Sequence, residues 1–277
     1  MRELLRFLRR HKPAQLGIAL ILAVTLAALL ADAMSPYGPM ESISDGFFSP
    51  VSSHHWLGTD GQGRDLFTRL LHGARYTLVI ALAATLLSML AGSLIGALSG
   101  YFGRWMEMTL MRGVDFLMSF PDFLLACVVV AILGKSLENL IWAVGIAGAP
   151  SFARQVRAEV LRIKALEFVE AARALGYSHA RILTRHIVPN CLTPIIVLGT
   201  LGMGGSVLSV AGLAFLGLGG DPFVPEWGLM LKLGWDQSSK GAFQVGVSGA
   251  CILVTVLGFN LLGDGLRDWL DPRSRTR

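Results

Sequence analysis

Charge is what this chain is short of. Only 16% of its 277 residues are Asp, Glu, Lys or Arg, against roughly 25% in an average soluble domain. Hydrophobic residues make up 53%, and mean hydropathy is +0.58. A soluble globule of this length could bury a large core without long stretches free of charge, so the balance points to the membrane class. Cysteine is scarce too. Cys127, Cys191 and Cys251 all fall inside apolar runs, which excludes a disulfide framework or a paired-cysteine metal site and leaves them as small core residues. There is no G-x-x-x-x-G-K-[ST] phosphate loop, so the sequence offers no nucleotide site of that kind. Acids, histidines and nucleophiles are not clustered at one depth, as a membrane-embedded enzyme would require. The short alternating segments of a transmembrane barrel are missing as well.

What is present is long uncharged sequence. Residues 14–31, 76–103, 187–220 and 241–263 carry no Asp, Glu, Lys or Arg, and about 20 helical residues suffice to cross ~30 Å of hydrocarbon. Helix is required there, because lipid offers backbone N–H and C=O groups no partner. Two weaker runs, 116–133 with Asp122 inside it and 139–153 extending toward Val160, bring the expectation to six transmembrane helices in an all-α membrane protein. The first 33 residues imitate a signal peptide, with five basic residues, an apolar run and Ala31-Asp32-Ala33. A secretory apolar region is typically ~7–15 residues long, so the longer run here, followed by further spans, reads as an uncleaved first helix.

Basic residues set the expected orientation. With the N-terminus in the cytoplasm, segments 1–13, 101–112, 154–189 and 265–277 lie inside and hold 18 of the 24 Lys and Arg, as the positive-inside rule requires. The net charge of +5 then reports orientation and needs no nucleic-acid partner. The expected divisions are a cytoplasmic segment 1–13, a first helix with its external loop over 14–75, a transmembrane domain over 76–264 and a cytoplasmic tail over 265–277. Both termini are expected in the cytoplasm.

Within the transmembrane domain, a loop at about 158–190 stands out. Phe168, Ala171, Ala172 and Leu175 recur at i, i+3, i+4 and i+7, the spacing of one apolar helical face. Gly176 ends that helix, and Ile182, Leu183 and Ile187 form a second amphipathic turn before Pro189. Small Ala171 and Ala172 would let another protein's surface approach, with Glu170 and Arg173 at the rim. An amphipathic helix lying flat on the bilayer fits the periodicity equally well.

Gly92, Gly96 and Gly100 recur every fourth residue and admit a neighbouring backbone, either as a sliding surface or as static packing. A similar ambiguity attaches to Gly199, Gly202, Gly204 and Gly205, whose helix either bends or simply fits its neighbours. Asp122 is either an intramembrane acid facing a cavity or a partner or, since Pro121 precedes it, the first residue of a helix that stabilises it. His54, His55 and Asp60 could be imagined as metal ligands, but nothing nearby is spaced to complete a closed site, and packing or hydrogen bonding is the simpler role.

Segment 167–190 resembles the EAA loop of binding-protein-dependent ABC importer permeases. Glu170, Ala171, Ala172, Gly176 and Pro189 match its pattern, and His186 and Val188 stand where the general pattern has Ile and Leu. The stretches HWLGTDGQGRDLFTRLLHGAR, MRGVDFLMSFPD, AGLAFLGLG and FNLLGDGLRDWLDPR extend the resemblance over nearly the whole chain. They are similar to the second, C-type permease subunit of dipeptide, oligopeptide and nickel importers. Val210 stands where many peptide members carry an acid, and the Pro-rich opening of the sixth span is missing.

The resemblance implies a type I importer fold in the bacterial inner membrane. It implies a homologous second permease, two ATPase subunits that bind ATP and Mg, an external solute-binding protein and surrounding lipid, with no cofactor in this chain. It further implies coupling to the ATPase through Glu170, Ala171, Ala172, Leu175, Gly176 and Pro189, and alternating access for dipeptides or oligopeptides. Nickel or a metal chelate is the alternative substrate. An ion-coupled secondary transporter is more distant, because it would need ionisable residues deep in the spans.

Overall fold

In the computed structural model, which describes residues 11–42 and 46–270, the chain is built from helices. We number them α1 (Lys12–Leu29), α2 (Ala31–Met34), α3 (Leu66–Phe102), α4 (Arg104–Met118), α5 (Asp122–Leu133), α6 (Leu137–Lys164), α7 (Glu167–Ala174), α8 (His179–Ile182), α9 (Val188–Phe215), α10 (Trp227–Asp236) and α11 (Ala242–Leu270). A π-helical turn, Leu183–Ile187, joins α8 to α9. Side chains supply the N-terminal caps that free backbone N–H groups need: Asp65 accepts from Thr68 N, Ser136 from Asn139 N, Ser178 from Arg181 N and Glu226 from Leu229 N. Gly103 and Gly134 end α3 and α5 at positive φ.

The number of spans departs from six. Four described helices, α1, α3, α8 through α9, and α11, are long and apolar enough to cross a membrane, and a fifth span results if α4 and α5 count as one. These two meet at 94°. The run expected as a continuous span over 116–133 is therefore broken at Ser119–Pro121, and α5, with 12 residues, is only about 18 Å long. The remaining expected span, α6, has 28 residues, about 42 Å. It extends past Val160 as its sequence indicated, but Arg154, Arg157, Glu159, Arg162 and Lys164 crowd its second half and keep it from reading as an apolar crossing. Another difference lies in α3, which starts at Leu66, so residues 66–75, expected in the external loop, are the first turns of a 37-residue helix.

The glycine stripe of α3 fixes the main helix pair. A Cβ at Gly92 would stand 2.4 Å from Ala149 O, and one at Gly96 would stand 2.5 Å from Ala153 O. Gly100 faces Arg157 O and Val160 in the same way. The stripe packs α3 closely on α6, with a hydrogen bond from Ser88 Oγ to Gly145 O (2.8 Å) beside it. Helix α11 runs antiparallel to α9, with Gly263 against Leu201 and Asn260 against Gly204. Helix α1 fits onto α11, where Gly17 meets the backbone at Gly258 and Leu262. Ala31-Asp32-Ala33, which resembles a cleavage site, is helical, and Asp32 pairs with Arg75 at 3.0 Å. Consequently Lys12, Leu270 and the segment 165–187 all lie at one end of the bundle.

At the opposite end, residues 46–65 are locked by charge. Asp60 accepts from Gln62 N (2.9 Å) and Arg64 N (3.0 Å), and its other oxygen holds Arg64 Nε at 2.8 Å with Arg69 Nε 3.3 Å away. His55 Nδ1 lies 2.9 Å from Asp65 Oδ1. Asp60 and His55 thus turn to different partners and do not converge with His54, whose backbone oxygen accepts from the Tyr37 hydroxyl (3.3 Å).

Candidate coupling site

Segment 165–187 is a compact knob. Helix α7 carries Glu167 and Glu170 in its first turn and Arg173 in its last, each at the end of the helix dipole that favours it. It closes with Gly176 N bonded to Arg173 O (3.0 Å) and Tyr177 N to Ala172 O (3.2 Å), the paired bonds of a Schellman cap. Gly176 has φ +76° and open space around its missing Cβ, so backbone angle, not room, requires glycine there. Pro189 sits in the first turn of α9, directly after the π-helical turn Leu183–Ile187.

The expected apolar face divides in two. Ala172, only 4% exposed, turns inward with Val169, Ile182 and Ile187 onto Ala97, Val160 and Ile163. Phe168, 42% exposed, and Leu175, 74% exposed, turn outward with Ala171. Ala172 is therefore a seat of the knob and not part of its outer surface, which corrects the pairing of the two alanines. A stripe of i, i+3, i+4 and i+7 positions cannot say which apolar residues meet the chain's own core, and Val169–Ala172 is a second stripe one residue removed. Glu170, Ala171, Leu175 and Gly176 share the exposed side. Beside them the Tyr177 ring stacks on His186 (5.9 Å between centroids) with the Arg181 guanidinium 5.2 Å from its centre.

Asp122 is exposed and opens α5 directly after Pro121. It lies away from the knob, as do Gly92 and Gly96, which are spent on helix packing. Two groups drew no notice in the sequence. Glu226, fully buried, accepts from Thr77 Oγ1 (3.0 Å) and caps α10 through Leu229 N (2.9 Å). Burial pushes its carboxyl above the ordinary range, opposed by the N–H groups of Gly228 and Leu229 and by Thr77. Tyr101, at the end of α3, meets His179 of the knob. Neither pair has a sequence signal, because each joins positions far apart in the chain.

Known proteins share this architecture. Residues 92–276 match the family model described as binding-protein-dependent transport system inner membrane component, and residues 1–50 match the N-terminal TM domain of oligopeptide transport permease C. The dipeptide transport system permease protein DppC of Alkalihalophilus pseudofirmus is 40% identical over 275 residues, covering 99% of this chain and 90% of that protein. The glutathione transport system permease protein GsiD of Pectobacterium atrosepticum is 40% identical over 272 residues, covering 98% and 90%. Among solved structures, a chain of the MetNI methionine ABC transporter in an inward-facing conformation superposes with a TM-score of 0.61 at 20% identity, over 73% of this chain and 97% of that one; it shares the fold. An all-helical bundle with several apolar spans, a helix-glycine-helix knob at one end and a family match over two thirds of its length leads to one assignment: the chain belongs to the binding-protein-dependent transport system inner membrane components, as a multi-pass permease subunit of an ABC importer.

Proposed function

We propose that this permease subunit forms half of the translocation path for dipeptides or oligopeptides and that segment 165–187 is its coupling loop, seated in a groove of an ATPase subunit. The loop and both termini then lie in the cytoplasm of a bacterial cell, with the Asp60–Arg64 region facing outward in the inner membrane. A homologous second permease completes the path, two ATPase subunits bind ATP and Mg, and an external solute-binding protein delivers the solute. Closure of the ATPase pair rocks the helices between inward and outward access.

The observation that carries the coupling reading is the exposed face of α7. Glu170, Ala171 and Leu175 project from a knob whose other side is already committed to its own core. A helix of eight residues with half its apolar surface used internally makes a poor ribbon for a lipid surface. The peptide reading is supported by the named relatives, which are dipeptide and glutathione permeases, and it stands ahead of nickel or a metal chelate.

Two experiments test these readings. A photo-crosslinker at Ala171 in the assembled importer should capture an ATPase subunit during turnover; capture of phospholipid alone would remove the coupling loop. Calorimetric screening of the solute-binding protein against peptides and nickel complexes should give heat with peptides, whereas binding confined to metal complexes would reverse the substrate order.

A further inference from the structure

The knob rests on its carrier helices mainly through Val169, Ala172, Ile182 and Ile187 packed on Ala97, Val160 and Ile163. Such contacts hold by removing apolar area from water and have no preferred direction, so they permit rolling and sliding. A hydrogen bond is limited in both distance and angle. Among the described residues, one side-chain hydrogen bond joins segment 165–187 to these helices: the Tyr101 hydroxyl lies 2.9 Å from His179 Nδ1.

The α3 side of this bond is held from several directions. Tyr101 is 4% exposed, its ring lies under Lys164 Nζ at 5.6 Å, and the same ammonium donates to Tyr101 O at 2.5 Å. Phe102 packs edge-on at 5.1 Å. One residue earlier, Gly100 is pressed against Arg157 and Val160 of α6. A displacement delivered to Tyr101 therefore reaches α3 and α6 together. On the knob, His179 opens α8 directly after its capping Ser178. A phenol hydroxyl both donates and accepts, so the bond forms with either protonation state of the imidazole.

We propose that the Tyr101–His179 hydrogen bond is the strut that passes movement of segment 165–187 to the α3–α6 pair, with both residues acting as positioning residues for transport. The inference rests on the coupling reading of that segment. Removing the strut leaves the loop joined to α6 by the chain itself and seated by its apolar contacts, but without that one directional contact to the end of α3, so less of its movement reaches the pair.

The test uses the complete importer in proteoliposomes and measures solute taken up per ATP hydrolysed. Tyr101→Phe, which keeps the ring, and His179→Ala should each lower that ratio about fivefold, the scale of one net hydrogen bond. His179→Asn, which restores a polar atom near Nδ1, should recover most of it. The double variant should be no worse than either single one. An unchanged ratio in Tyr101→Phe, multiplying losses in the double variant, or no recovery with Asn would each overturn the strut. Glu170→Arg separates the two ideas. If Glu170→Arg lowers the ratio and Tyr101→Phe does not, the strut alone falls; if Glu170→Arg changes nothing, the coupling reading falls and the strut with it.

Discussion

Helices α3 and α6 and the knob at their end use small residues in opposite ways. Between the helices, Gly92, Gly96 and Gly100 bring two backbones into contact, and a Cβ at any of them would meet a carbonyl oxygen at 3.0 Å or less. On the knob, Ala171 faces open surroundings while Ala172, the next residue, is packed into the chain's own core. Smallness in the first region serves rigidity. In the second it serves a fixed seat on one side and leaves an unfilled face on the other, the face that the coupling reading gives to an ATPase subunit.

Substitutions can break or sharpen this contrast. The largest expected effect is Gly96→Leu, which drives a side chain into Ala153 O and Val156. We expect a loss of about 3 kcal/mol from overpacking, read as a lower melting temperature of the detergent-purified subunit complex; an unchanged melt would show that α3 and α6 can separate freely. Next comes Ala172→Leu, which should cost about 2 kcal/mol on the same ground by lifting α7 off its seat, seen as faster hydrogen exchange across 167–187.

Gly176→Ala should cost about 1 kcal/mol, because φ +76° penalises a Cβ whatever the space. Its local signature is confined to the end of α7, in contrast to Gly96→Leu, which perturbs two long helices. Smallest in stability is Ala171→Leu, within about 0.5 kcal/mol as for other exposed sites. On the coupling reading it still depresses transport sharply by blocking the ATPase groove. A stability loss equal to that of Ala172→Leu would erase the distinction between the two faces.

Much of this was legible in the residues. Most of each apolar run over 14–31, 187–220 and 241–263 falls in α1, α9 and α11, and the helix, glycine bend and second turn of 167–190 appear in that order. The errors were of one kind. Residues 66–75 looked like loop because Arg69, His72 and Arg75 interrupt the hydrophobic run, yet Asp65 caps a helix that begins there. Hydropathy alone joins 116–133 into one run, although Pro121 marks the helix start that the structure places at Asp122, and periodicity groups Ala172 with Ala171 because it identifies a stripe without naming its partner.

By itself the sequence determined the membrane class, the approximate positions of the long apolar helices and the helix, glycine bend and second turn of 167–190. These depend on local properties: backbone hydrogen bonds must close within a helix when no water is available, and charge, glycine and proline act on their immediate neighbours. Only the tertiary structure decided that the glycine stripe grips α6, that Ala172 is spent inside the chain, that Glu226 is buried against Thr77 and that Tyr101 reaches His179. Each of those joins segments distant in sequence, and which surfaces meet depends on how whole helices pack, information that no local window of residues contains.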